Sequence, residues 1–279
     1  MSQKTLNIRG TLTSLEKPLV MGILNVTPDS FYADSRKQTE AAIEERIQTI
    51  LSEGGQIIDI GGYSSRPDAA EVSSEEEMNR LVFALKILKE HYPEVALSVD
   101  TFRSEVASRC VEEYGVGVIN DISGGELDGK MFETVARLHV PYIIMHMRGT
   151  PQTKQQYTEY GDMMEEIMLY FAHKVRQLRL LGVNDIILDP GFGFSKTVEQ
   201  NYTLMSHLRE FKEFDLPLLV GISRKSMIYK LLGGTPADSL NGTTVLNTYA
   251  LLNGADILRV HDVRAAVEAV QIIEQLKTK

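Results

Sequence analysis

From about residue 19 onward the chain alternates between short, largely β-branched apolar runs and longer stretches whose apolar positions recur at helical spacing. The runs are Leu19 to Val26, Gln56 to Gly61, Ala96 to Asp100, Gly117 to Ile122, Pro141 to His146, Asp185 to Asp189, Pro217 to Ile222 and Asp256 to His261. Each is short and bounded by turn-forming residues, the pattern of a parallel strand buried on both faces. The stretches between them carry helix signals. Ser73-Ser-Glu-Glu-Glu reads as a capping-box start, and Val263, Val267, Val270, Ile273 and Leu276 read as one core-facing stripe of the last helix. Ahead of all these, Thr5 to Leu15 alternate as a short hairpin that plugs one end of the fold. Eight βα units in series predict an α/β fold, a (β/α)8 TIM barrel with an N-terminal β-hairpin, as a single domain over residues 1–279. A doubly wound open sheet shares the alternation. Eight regular units in roughly 250 residues, without a dinucleotide glycine fingerprint, favour closure.

Polar residues collect where the runs stop: Asn25, Asp100, Asn120 with Asp121, His146, Asp189, the Ser223-Arg-Lys225 cluster and His261. Barrels of this kind carry their active sites at the carboxyl ends of the strands, so fold and chemistry point to one mouth. Composition narrows the ligand. A hydrophobic content of 43% can bury a large core, and a net charge of -9 argues against nucleic acid while leaving room for a local cationic pocket for phosphates. The single cysteine, Cys110, permits no internal disulfide and suits a reducing cytoplasm. The amino terminus lacks the apolar core of a signal peptide, and no apolar run approaches the roughly 18 residues of a membrane span.

Asp100, Asn120 and Asp189 end three different strands and project toward one mouth. Two carboxylates and a carboxamide suit a heterocycle with an amide-guanidine edge, which describes a pterin or a guanine. Lys225 opens a helix after the seventh barrel strand and can reach the heterocycle's carbonyl, while Ser226 and the helix start can receive an anion. Arg259 and His261 alternate on the last strand and share a side of the pleat; a buried arginine there needs either a carboxylate or a ligand phosphate. Two loops, Asn25-Val-Thr-Pro-Asp-Ser-Phe31 with Asp34 and Gly61-Gly-Tyr-Ser-Ser-Arg-Pro67, have the turn-rich character of lids, and Arg66 offers a phosphate-binding fork. Asp189-Pro-Gly-Phe-Gly-Phe194 reads as a rigid wall for a flat ring, and His146 as a further wall residue. Taken singly, each residue has an ordinary alternative: a satisfied turn, a surface arginine, a solvated lysine.

Together the motifs Asn25-Val-Thr-Pro-Asp-Ser-Phe31, Ser98-Val-Asp-Thr101, Asn120-Asp-Ile122, Asp189-Pro-Gly-Phe-Gly-Phe194, Ser223-Arg-Lys-Ser226 and Arg259-Val-His261 resemble the dihydropteroate synthase family over essentially the whole chain. That resemblance implies a pterin-binding barrel that joins 6-hydroxymethyl-7,8-dihydropterin diphosphate to 4-aminobenzoate in folate biosynthesis, is targeted by sulfonamides, uses Mg2+ and forms a homodimer. It implies Asn25 as magnesium ligand and, with Arg259 and His261, as the diphosphate pocket. It implies Asp100, Asn120, Asp189, Lys225 and Phe194 around the pterin, and Phe31, Ser65, Arg66, Pro67 and Ser226 around the aminobenzoate. Asp100, Lys225, Arg66 and Asp34 are the implied catalytic set. Three departures from the family pattern stand out: Ser65 and Asp68 stand where threonine and glycine are common, Ser30-Phe-Tyr-Ala-Asp34 is one residue longer before its aspartate, and Ser195 replaces a glycine. The competing readings are a non-catalytic pterin-binding or methyl-carrier module and a phosphate-handling aldolase, the latter requiring a Schiff-base lysine inside the barrel.

Overall fold

A computed structural model describes residues 4–26, 36–63 and 72–277. Phe31, Asp34, Ser65, Arg66, Pro67 and Asp68 lie outside the described residues. The chain opens with an antiparallel hairpin, β1 (Thr5–Ile8) and β2 (Thr11–Ser14). Eight parallel strands follow: β3 (Leu19–Asn25), β4 (Ile57–Gly61), β5 (Ala96–Asp100), β6 (Val118–Asp121), β7 (Tyr142–Met145), β8 (Ile186–Asp189), β9 (Leu219–Val220) and β10 (Ile257–Val260). They are ordered β8-β7-β6-β5-β4-β3-β10-β9, and a parallel bridge from Leu188 to Leu218 brings the two edges together into a nearly closed barrel. Helices α1 (Arg36–Ser52), α2 (Ser74–His91), α3 (Ser104–Tyr114), α4 (Met131–Leu138), α5 (Met163–Leu180), α6 (Val198–Ser206), α7 (Ser226–Leu232), α8 (Leu240–Leu252) and α9 (Val263–Lys277) make the outer layer.

The eight apolar runs and the strands coincide to within a residue or two at most ends. β9 is the exception, cut short where Gly221 and the left-handed Arg224, at φ +57°, turn the chain toward α7. Strand periodicity sorts the side chains into two cores. Ile58, Ile60, Leu258 and Val260 face outward against helix residues such as Ile47, Leu81 and Val263. Ile57, Val118, Ile143, Ile187, Leu219 and Ile257, at the amino-terminal ends of their strands, face inward and meet Leu6 and Ile8 of the hairpin. The hairpin therefore plugs that end of the barrel, leaving the carboxyl end for chemistry.

Two local expectations differ from the structure. Ser73 does cap α2, its hydroxyl accepting from the Glu76 N–H at 3.2 Å, but the Glu76 carboxylate pairs with Arg80 at 2.9 Å instead of returning to the cap. The reciprocal box occurs at α6, between Thr197 and Gln200. On α9, Val263, Val270 and Ile273 are buried, yet Leu276 is 65% exposed. At 3.6 residues per turn, thirteen residues of separation carry Leu276 well round the helix from Val263 and off the core face.

Candidate active site

The alternation that sends Ile58 and Ile60 outward sends Asp59 inward, where it is completely buried. The same rule on β10 sends Arg259 inward between the outward Leu258 and Val260. The two meet across the barrel: Arg259 Nε donates to Asp59 Oδ2 at 2.6 Å, and Arg259 Nη2 donates to Asp100 Oδ2 at 2.8 Å. Asn120, 3% exposed, donates its Nδ2 to the same Asp59 oxygen at 3.1 Å. The anionic partner a buried arginine requires is thus a pair of carboxylates. Burial raises the Asp100 pKa, Arg259 opposes the rise, and neighbouring Asp59, Glu77 and Asp121 add to it. Asp121, next to Asn120, faces the other way and ties down the loop after β6 through Ser123, Gly125 and Tyr142.

Asp189 is 6% exposed and accepts from the Gly191 N–H at 2.8 Å. Burial raises its pKa, and the charge of Lys225 is the largest opposing influence. Lys225 precedes α7 and is drawn into the mouth, where its ammonium donates to the Phe192 carbonyl and lies 4.9 Å over the Phe194 ring. Burial lowers its pKa to about 7. Lys154, from the loop after β7, sits 3.7 Å over the same ring, and burial lowers its pKa to about 8. Phe194 is thus a buried wall with two ammonium groups against it. The wall is held from below by Lys196, 3% exposed, whose ammonium contacts the carbonyls of Gly191 and Phe194 and His146 Nδ1 at 3.0–3.1 Å. His146 lies among Tyr160, Tyr170 and Phe171, with burial driving its pKa far down. Gly191 has no substitute here: at φ +75° any Cβ would lie 2.0 Å from the His146 carbonyl oxygen.

Around the end of β10 the field is cationic. His261 accepts or donates through Nδ1 to Ser223 Oγ at 3.0 Å, and its carbonyl accepts from Arg46 Nη2 at 2.7 Å. Burial, then Arg259, Arg224 and Arg46, lower its pKa to about 4, with Asp262 opposing. At neutral pH His261 therefore offers a hydrogen bond and not a charge. Asn25 is exposed at the end of β3, where its Oδ1 and the Asp100 carboxylate border Gly61. Ser226, half-buried, opens α7. Among the described residues no three His, Cys, Asp or Glu side chains cluster as a resident metal centre. A single hard oxygen donor such as Asn25 Oδ1 fits magnesium, which takes one or two protein oxygens and completes its shell with water and substrate phosphate.

Asp59, Arg46, Lys154 and Lys196 were not singled out by the sequence reading. Asp59 had a signal, being the one charged residue inside the run Ile57-Ile-Asp-Ile60. The lysines and Arg46 lie on loops or a helix, where a cation is the commonest solvated residue. Gly62, which opens the second loop, serves packing: a Cβ there would meet the Glu77 carbonyl at 3.0 Å and Leu81 at 3.1 Å, so this glycine lets α2 pack.

The structure gives Ser195 a role that sequence did not. It is buried at φ +52°, a conformation that suits glycine, and its hydroxyl both accepts from the Arg148 N–H and donates to the Arg148 carbonyl, each at 2.8 Å. The two bonds clamp the loop after β7 to the loop after β8. Ser195→Ala is expected to lose both bonds and keep the unfavourable φ, costing about 1–3 kcal/mol. Ser195→Gly loses the bonds but relieves the backbone, so its loss should be smaller. Urea unfolding midpoints measure the order; an equal or reversed order removes this account.

Comparison with known proteins agrees with this geometry. The model of the pterin binding enzyme family matches residues 21–261. The dihydropteroate synthase of Escherichia coli K12 is 41% identical over 268 residues, spanning 95% of this chain and 94% of that protein. A Xanthomonas albilineans dihydropteroate synthase structure with 4-aminobenzoic acid superposes with a TM-score of 0.90 at 34% identity, covering 100% of both chains. A Yersinia pestis dihydropteroate synthase in a sulfonamide drug complex gives 0.88 at 41% identity, covering 99% of this chain and 100% of that one.

Proposed function

The chain belongs to the dihydropteroate synthase family of pterin-binding enzymes, and from that premise we propose how its residues divide the work. The reaction is the transfer of the dihydropterin methylene from diphosphate to the amine of 4-aminobenzoate, forming 7,8-dihydropteroate. The observation that carries the assignment is the inward set of Asp189, Asn120 and Asp100 from three strands, with the Lys225 ammonium beside Asp189 in the same mouth. Asp189 accepts from the guanidine-like edge of the pterin, Lys225 donates to the ring carbonyl, and Phe194 walls the ring. Arg259, His261 and Asn25 face the diphosphate. Ser226 is assigned to the aminobenzoate, as are Phe31, Ser65, Arg66 and Pro67 on the family pattern alone.

The carbon–oxygen bond to diphosphate breaks with its electron pair leaving on oxygen, and positive charge develops on the pterin methylene. Asp100 presents negative potential to that charge. Asn25 Oδ1 would hold magnesium, which when bound would supply neutralisation of the leaving diphosphate. The aromatic amine then attacks the methylene and releases its proton; no strong general base is required, so positioning outweighs proton transfer. Water has to be kept from the methylene at this stage, since it would otherwise give the unproductive pterin alcohol. We place the protein in the cytoplasm as a single domain; no helix among the described residues is long and apolar enough to cross a membrane. We also propose a homodimer through α7 and α8, which expose Leu231, Leu232, Val245 and Leu252.

The decisive assay is diphosphate release. It is expected only when the pterin diphosphate and 4-aminobenzoate are both present; release from the pterin diphosphate alone at the same rate would overturn the assignment.

A pH dependence follows from Lys225. Its pKa near 7 means that the free site is losing its ammonium proton just above neutrality. A ring carbonyl prefers the charged form, so binding raises that pKa and takes up a proton. Pterin affinity should fall as pH rises from 7, and calorimetry in buffers of different ionisation enthalpy at pH 8 should register proton uptake. No uptake means that Lys225 does not meet the carbonyl.

A further inference from the structure

We infer that Asp59 is the positioning residue of this site: from beneath the substrate it fixes which way the Asn120 carboxamide faces and holds Arg259 in line with Asp100. The inference rests on the pterin reading given above and deepens it. Asp59 is 0% exposed, so it touches no substrate. All of its contacts among the described residues run through one oxygen, Oδ2, which accepts from Asn120 Nδ2 and from Arg259 Nε; Oδ1 has no hydrogen-bond partner there.

An ionised carboxylate can only accept, whereas a carboxamide has one face that donates and one that accepts. With Asp59 below it, Asn120 must turn its NH2 downward. Its Oδ1 is then left for the mouth, together with the second N–H. The residue accordingly offers the ligand an acceptor beside one N–H, where the flipped amide would offer no acceptor at all. A site so lined selects a ring rich in N–H groups, as a dihydropterin is. Without Asp59 the two amide orientations would approach equal energy, and half of the molecules would present a donor to a donor.

The second consequence is one of charge. Two carboxylates, Asp59 and Asp100, share the one guanidinium of Arg259, so it is not given wholly to Asp100. Removing the Asp59 charge gives Arg259 wholly to Asp100 and weakens the negative potential available to a developing pterin cation. Asp59 thereby sustains both recognition and reaction without contacting either substrate.

Asp59→Asn keeps the shape and removes the obligatory acceptor. Calorimetry with a dihydropterin analogue is expected to show affinity about tenfold weaker or more in the folded variant, equivalent to the loss of one well-made hydrogen bond to a charged group. Turnover is expected to fall as well. Asn120→Ala should weaken binding comparably. Toward the diphosphate-free analogue, the Asp59→Asn/Asn120→Ala double variant should bind no more weakly than Asn120→Ala alone, because recognition of the ring runs through Asn120, whereas the influence of Asp59 through Arg259 is read in turnover. A merely structural aspartate predicts losses that add, or a stability loss with unchanged affinity, and either overturns the inference. If Asp59→Asn does not fold, the wild-type Asn120 side-chain amide, assigned by its absence in Asn120→Ala, gives the test by 15N NMR. One persistently hydrogen-bonded proton, with and without pterin, is expected; two freely exchanging equivalent protons overturn it. Wild-type protein that binds no dihydropterin would sink the pterin reading itself, a result separable from all of these.

Discussion

Arg259→Ala is expected to destabilise the protein by about 3–5 kcal/mol, the range for removing one partner of a buried ion pair. The guanidinium is 20% exposed and bridges Asp59, fully buried, to Asp100, 22% exposed. Its removal leaves two inward carboxylates facing one another with no counter-charge on the bridge. The pH profile separates this cause from lost packing. In the wild type, Arg259 is the strongest influence holding the Asp100 pKa down against burial. In the variant the folded-state pKa of Asp100 rises further, so the folded state binds more protons than the unfolded chain between the ordinary carboxylate range and that raised value. Stability of the variant therefore improves as pH falls, and the deficit should be largest at neutral and alkaline pH. Urea unfolding at several pH values measures it; a deficit that does not change with pH would assign the loss to packing. Catalysis should fall by more than a hundredfold in kcat/KM. Binding of the pterin diphosphate should suffer more than that of the pterin alcohol, because only the former meets the guanidinium. Equal losses for the two ligands would confine Arg259 to the network beneath the site.

The second large effect is at Asp189. Asp189→Asn preserves volume and can keep an acceptor for the Gly191 N–H, now satisfied at 2.8 Å. It substitutes an NH2 for the other oxygen, so the guanidine-like edge of the pterin meets a donor. An unmatched pair of buried donors costs about 1–3 kcal/mol, corresponding to roughly five- to 160-fold in affinity, and more where charge is involved. A second loss compounds the first. Asp189 is the principal charge keeping Lys225 protonated against burial. Without it the lysine pKa drops further, and the donor to the ring carbonyl becomes scarcer at neutral pH. The affinity loss should consequently be smaller at pH 6 than at pH 8. Calorimetry of a pterin analogue on the folded variant at both values tests the pair of effects. Unchanged affinity would remove Asp189 from the pterin site; a large but pH-independent loss would leave its edge contact standing and remove its influence on Lys225.

The barrel was legible along the chain because its signals are local. A β-branched run bounded by turn residues is a buried strand whatever surrounds it, and eight of them at regular spacing leave few topologies. The candidate residues Asp100, Asn120, Asp189, Lys225, Arg259 and His261 were legible for the same reason: a polar residue at the carboxyl end of such a run has one mouth to face. Their partners were not. Arg259 and Asp59 are 200 positions apart, and only barrel closure, which sets β10 beside β3 and β4 beyond it, makes them an ion pair. Sequence left open whether carboxylate or phosphate answers that arginine; tertiary contact supplied the carboxylates. Burial was likewise decided by packing. Lys154 and Lys196 look like surface cations on their loops, yet folding of those loops over the mouth desolvates both ammonium groups. Ser195 looked like an unexplained substitution until the loop carrying Arg148 came within hydrogen-bond distance. What sequence alone determined was the periodicity of each element and the polarity of its end, both set by the nearest few residues. What only the tertiary structure decided was which charges meet, because electrostatic pairing depends on distance through space, to which separation along the chain is no guide.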